Sequence, residues 1–177
     1  GNLHLLGAIA AERNAQPDTA VAYEQRVAAI LQELTQADPG NRSMELSHSI
    51  SRINLGNLLA AAHRPDEALP ILREELERVR RWSREDASSS DYATSLIECL
   101  GGLGAAWRAR AERAAPRSVA ATAAWQSARG FYTSSDALIA EWAARGDAWS
   151  ADSTRRAQIR HSLAACDSAV RKAAAGR

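Results

Sequence analysis

Histidine, cysteine, serine and paired carboxylates carry most protein chemistry, and in this chain they stand apart. His4, His48, His63 and His161 are never four residues apart, and no H-E-x-x-H occurs. The imidazole pair that one helix face offers to zinc is therefore not encoded. Ser47-His48-Ser49 has no Gly-x-Ser-x-Gly elbow around it. Asp66-Glu67 reads as a helix start and Glu74-Glu75 as a solvated surface. Gly101-Gly102-Leu103-Gly104 invites a phosphate-loop reading, but the Walker lysine is missing and no strand precedes it. Close packing of helices explains these glycines better. Cys99 and Cys166 fit no ligand spacing and read as small apolar residues on helix faces, with a disulfide left open. Arg145-Gly146-Asp147 reads as a helix stop, with Gly146 in a left-handed cap. The expectation is no catalytic residue, no cofactor site and no metal site.

Composition points to helices. Hydrophobic residues make up 46% and charged residues 24%, the balance of an ordinary globular chain. Alanine is the commonest residue and the best helix former, because it loses no side-chain entropy. Val, Ile and Thr are sparse. The fold class is all-α. Of 22 basic residues only Lys172 is lysine, which fits a GC-rich coding bias or a use of bidentate arginine pairing. Net charge is +1, which argues against non-specific nucleic-acid binding. Glutamates interleave with the basic run Arg78-Val79-Arg80-Arg81, so it reads as a solvated helix face. No apolar run approaches the roughly 20 residues that span a bilayer, and no direct membrane insertion is expected. The chain begins at Gly1 inside a pattern, as a piece of a longer protein does.

Hydrophobic spacing sets the elements. A first helix covers about Leu3 to Arg13. A second runs from about Asp18 to Ala37, with Tyr23, Val27, Ile30 and Leu34 as its expected stripe. A third covers about Ser43 to Ala62, and a fourth about Pro65 to Trp82, with Ala68, Leu72, Leu76 and Val79 buried. A polar loop, Ser83–Ser90, leads to a helix holding Leu96, Leu100, Leu103 and Trp107. Ala109–Val119 contains Pro116 and reads as an insertion. The next helix carries Trp125, Ala128, Tyr132, Ile139 and Trp142. A last helix, capped at Asp152 or Ser153, places Ile159, Leu163, Cys166 and Val170 on one side.

A period runs through these elements. Leu6-Gly7, Leu55-Gly56 and Leu103-Gly104 recur at 49 and 48 residues. Asp38 and Asp86 are 48 apart, as are Ala20 and Ala68. A Leu-Gly pair followed 12 residues later by a small residue, here Gly56 to Ala68, is the skeleton of a tetratricopeptide repeat. The chain resembles that family over nearly its whole length. The residues three before each leucine are Leu3, Arg52 and Leu100, and those four after are Ala10, Leu59 and Trp107. Arg52 departs from the family pattern, and the family's aromatics are mostly missing. Ala20, Ala68 and Ala128 match its small residue of the second helix. The resemblance implies an antiparallel helix-pair solenoid of about three extended repeats plus a C-terminal capping helix. The repeats would cover about 1–40, 41–84 and 85–146, the last with the insertion, and the cap about 151–173 of a single domain.

A narrower resemblance concerns the loop Q-A-D-P-G-N-R and the ending W-Q-S-A-R-G-F-Y-T-S-S-D-A-L-I-A-E-W. Both look like C-terminal repeat regions of large bacterial serine/threonine protein kinases. That implies a kinase domain outside this chain, since no H-R-D or D-F-G occurs here. The resemblance also implies a function. First helices of stacked pairs line a concave groove. The groove positions are His4, Ala8, Glu12, Ile50, Ile53, Asn57, Ala60, Glu98, Ala105 and Arg108. A peptide or protein partner would sit there. Some relatives clamp a C-terminal carboxylate, and Asn54 matches one residue of that clamp. His4, Glu98 and Gly102 stand where its cationic residues would be, so no such clamp is expected. The rival expectation is self-association (a homo-oligomer) or docking on the kinase domain, marked by solvent-facing Trp82, Trp107 or Trp149. The compartment expected is cytoplasmic, or extracytoplasmic if the parent carries a transmembrane segment.

Overall fold

The computed structural model describes residues 17–146 and 153–175. Among them are six α-helices and no strand. They are α1 (Pro17–Ala37), α2 (Arg42–Ala61), α3 (Pro65–Glu85), α4 (Ser90–Arg113), α5 (Val119–Ala144) and α6 (Ser153–Ala175). The expected helix over Leu3–Arg13 and the first Leu-Gly pair lie outside the described residues.

Local chemistry places the helix starts. Pro17 and Pro65 occupy first positions of α1 and α3, where a missing N–H costs nothing. The side chains of Asn41, Ser89 and Ser118 accept hydrogen bonds from the N–H groups of Met44, Tyr92 and Ala121. Each satisfies one of the donors that a helix start leaves free. His63 closes the turn after α2 with φ of 56°. α3 continues past Trp82 to Glu85, so the polar loop shrinks to residues 86–89.

Each helix packs on the next, and α2 also lies against α4. Short loops between touching helices make successive helices antiparallel. The contacts repeat. Ser51 donates to Glu24 and Cys99 donates to the Leu72 carbonyl, each reaching 27 residues back. A Cβ on Gly56 would stand 2.5 Å from Leu72 Cγ, and one on Gly104 would stand 2.8 Å from the Tyr132 ring. Leu72 follows Ala68 by four residues, and Tyr132 follows Ala128 by four. Ser49 donates to Glu75; at the matching positions of the next pair, Ser135 in place of Glu75 donates to the carbonyl of Ile97 in place of Ser49. The stretch expected as an insertion is largely helical. α4 has 24 residues against 20 in α2, and the loop after it, 114–118, is longer than 62–64.

The α3 stripe is buried as expected: Ala68, Leu72 and Val79 are fully covered and Leu76 nearly so. The α1 stripe differs. Its buried residues are Ala20, Val21, Glu24, Val27 and Ala28, while Ile30 and Leu34 are 50% and 44% exposed. Small residues let α1 approach its neighbour, which rotates the larger ones outward.

Glu75 corrects the surface reading. It is 0% exposed. Ser49 Oγ donates to it at 2.7 Å, Arg78 at 3.2 Å, and the Arg52 Nε–H also donates. Arg52 and Arg78 further pair with Glu74. Arg52, the departure from the repeat pattern, is thus the partner of a buried carboxylate. Such a charge is tolerated only when paired and hydrogen-bonded.

Three outcomes follow for urea unfolding. Gly56→Ala and Gly104→Ala lower stability by about 1–3 kcal/mol through overpacking. Gly101→Ala, whose Cβ meets nothing within 4 Å, raises it by about 0.5–1 kcal/mol. Glu75→Gln lowers stability by about 3 kcal/mol, because two arginines lose their buried counter-charge; a change below about 0.5 kcal/mol, within the range of ordinary surface substitutions, contradicts the cluster's role.

Candidate functional site: the α2/α4 face

Residues three and four apart share a helix face. On α2 that brings Ile50, Ile53, Asn54 and Asn57 to one side. On α4 it brings together Asp91, Thr94, Ser95, Glu98, Gly101, Gly102 and Ala105. Where these faces meet there are two depressions. One, of about 260 Å3, is lined by Ile50, Ile53 and Asn54 of α2 and by Asp91, Thr94, Ser95 and Glu98 of α4. The other, of about 340 Å3, runs on from Glu98 over Asn57, Gly101, Gly102 and Ala105 to Tyr132 of α5 and Arg155, Gln158, Ile159 and Ser162 of α6.

Of the expected groove residues, Ile50, Ile53, Asn57, Glu98 and Ala105 come together here. Ala60 does not. It is 4% exposed and part of the core, because α2 turns that position toward its packed side. Arg108 lines neither depression; it pairs with Glu112 at 3.7 Å. Its charge lies close enough to act on Tyr132 and Cys166. His4, Ala8 and Glu12 lie outside the described residues.

Asn57 holds the floor. Its Oδ1 is buried with no hydrogen-bond partner, at the place where a side chain on Gly102 would begin: a Cβ there would stand 1.9 Å from it. The glycine therefore exists to admit the amide, and its Cα–H faces the oxygen, a weak contact at best. A buried acceptor without a partner costs about 1–3 kcal/mol.

The far wall belongs to α6, the helix expected as a cap, whose place on this face the sequence does not announce. Ile159 and Cys166 are buried with Ile97, Ala128, Tyr132 and Ile139. Arg156 and Arg160 both reach Asp136, at 2.9 and 3.0 Å, and Arg129 reaches Asp167 at 2.6 Å. Burial works to raise the Asp136 carboxyl, but the two arginines outweigh it and hold the group below its usual range. Arg155 reaches across to Glu98 at 2.6 Å. Burial pushes the Tyr132 phenol up, and Ser162 hydrogen-bonds it.

Nothing on this face is arranged for nucleophilic chemistry. Burial pushes the Cys99 thiol up to about 12 and the Cys166 thiol to about 11. Both are buried and free. Their reactive thiolate forms are therefore suppressed. Among the described residues no group of three His, Cys, Asp or Glu is placed to hold a metal. No helix among them is long and apolar enough to cross a membrane.

A larger depression, about 470 Å3, lies elsewhere, over α1, α2 and α3. Several of its charges satisfy one another. Arg42 pairs with Glu85 and Glu45 and stacks on Trp82, and Arg78 belongs to the Glu75 cluster. Compared with known protein families the chain matches none, and no curated protein matches it.

His48, on the rim of that larger depression, gives a pH signature. Burial lowers its pKa from 6.5, and Arg52 and Arg78 add to the effect. The folded chain then binds this proton less readily than the unfolded one. The stability contribution is full above about pH 6.5 and is lost as pH falls below it. An NMR titration will place the His48 midpoint below 6.5. His48→Gln will flatten the stability profile on the acid side of that value; an unshifted midpoint contradicts the assignment.

Proposed function

We propose that this chain is a tetratricopeptide-like repeat module that holds a peptide or protein segment on its α2/α4 face. The observation that carries the reading is the unpartnered Asn57 Oδ1, on a residue that lines the larger of the two adjoining depressions. An extended segment would bring a backbone N–H to this amide once its side chain turns out from beside Gly102. The Leu-Gly period and the recurring Gly56–Leu72 and Gly104–Tyr132 contacts support the repeat architecture. In that reading α2 and α4 are equivalent first helices and α6 is the cap. By the narrower resemblance, the module would regulate a bacterial signalling kinase whose catalytic domain lies outside this chain.

Exposed Ile30 and Leu34 on α1 favour a second reading, pairing of copies through that helix. Of the tryptophans expected to mark such a surface, Trp149 lies outside the described residues. Trp82 is buried, and Trp107 lies between Arg73 and Arg110.

Selection of displayed twelve-residue peptides, followed by NMR shift mapping, tests the first reading. Bound peptide is expected to move the amides of residues 50–57 and 94–105, and Asn57→Leu is expected to weaken binding about tenfold, the worth of one hydrogen bond. Shifts confined to α1, or no binding peptide at all, contradict it. Concentration-dependent sedimentation that Ile30→Glu abolishes would favour pairing of copies instead.

A further inference from the structure

The smaller depression has a particular chemistry. Its polar lining consists of Asn54, Asp91, Thr94, Ser95 and Glu98. The Thr94 hydroxyl donates to the Ser90 carbonyl and the Ser95 hydroxyl to the Asp91 carbonyl, both at 2.8 Å. Their hydrogens are spent within their own helix. Apart from the Asn54 amide, every polar group that faces the slot is an acceptor. Two of the acceptors are carboxylates seven residues apart on α4, which places them two turns apart on one face. No basic residue lines the slot. Asp91 makes no ion pair among the described residues. Ile50, half-buried, supplies an apolar wall, with Ile53 of the core behind it.

A slot of acceptors with an apolar wall fits a group that only donates and rides on an apolar stem. Lysine and arginine side chains are such groups. The chain already shows the preference: Arg155 of α6 sets its Nη2 on Glu98 Oε1 at 2.6 Å. This ion pair is partly solvated, with the two side chains 38% and 35% exposed, so it exchanges at little cost.

Resting on the reading of the α2/α4 face as a peptide groove, we propose that its partner is a basic segment. One lysine or arginine of that segment lies along Ile50 and reaches Asp91 and Glu98. In doing so it takes Glu98 from Arg155. α6 thereby sets the threshold for binding, because its own cation occupies the acceptor until a better-placed one arrives.

The test uses acetylated, amidated peptides drawn from the displayed library, measured by calorimetry against the full chain. Binders are expected to be enriched in lysine and arginine. Glu98→Gln is expected to weaken them about tenfold and Asp91→Asn about threefold. Arg155→Gln is expected to tighten them about threefold by removing the internal competitor. Replacing the peptide's basic residue with glutamine should cost about tenfold in the native chain and little in Glu98→Gln. Thermal melts confirm that each variant is folded. Peptides that move the α2/α4 amides without basic enrichment overturn this proposal and leave the groove reading standing. Weaker binding to folded Arg155→Gln also overturns it. If no peptide moves those amides, both readings fall.

Discussion

The close crossing of α2 over α3 at Gly56 and Leu72 is the contact on which the rest of the molecule depends. A side chain at residue 56 would stand 2.5 Å from Leu72 Cγ, so only glycine permits this approach. The same approach returns where α4 crosses α5, at Gly104 and Tyr132. The two crossings share one kind of close approach. α2 and α4, the first members of the two crossing pairs, lie side by side. The face they present together is a consequence of the glycines, although neither glycine lies in it.

A second constraint locks the pair. The Glu75 carboxylate is withdrawn from water between α2 and α3 and is held by Ser49, Arg52 and Arg78. Apolar packing tolerates sliding; a buried carboxylate with directional donors does not. The corresponding place between α4 and α5 has only Ser135 on the Ile97 carbonyl. The first crossing is thus fixed by charge and the second by shape. Beyond it, α6 adds its arginines, two on Asp136 and one on Glu98, and so joins the face that the earlier helices build.

Much of the fold was legible because helices announce themselves locally. Alanine content and the stripe Ala68–Leu72–Leu76–Val79 agree with the elements found, while the caps Asn41 and Ser118 were present in the sequence and not read as such. The α2/α4 face was legible in part through the repeat resemblance, which implies Ile50, Asn57 and Glu98 on one side. Glu75 was readable and missed. It falls within the α3 stripe, between Leu72 and Val79, where a residue must be buried whatever its charge. The α1 stripe misled because large apolar residues suggest a buried face, whereas close approach here uses Ala20, Val21 and Ala28. The contribution of α6 had no local signal. Arg155 meets Glu98 only through tertiary packing, and no spacing along the chain encodes that.

The central claim is that a partner segment lies on the α2/α4 face. Photo-crosslinking tests it most directly, with a benzophenone side chain placed at Gly101, where there is open space, or at exposed Arg80 on the outer side of α3. Peptides selected for binding should crosslink from residue 101 and not from residue 80. Crosslinking from residue 80 alone would contradict the account.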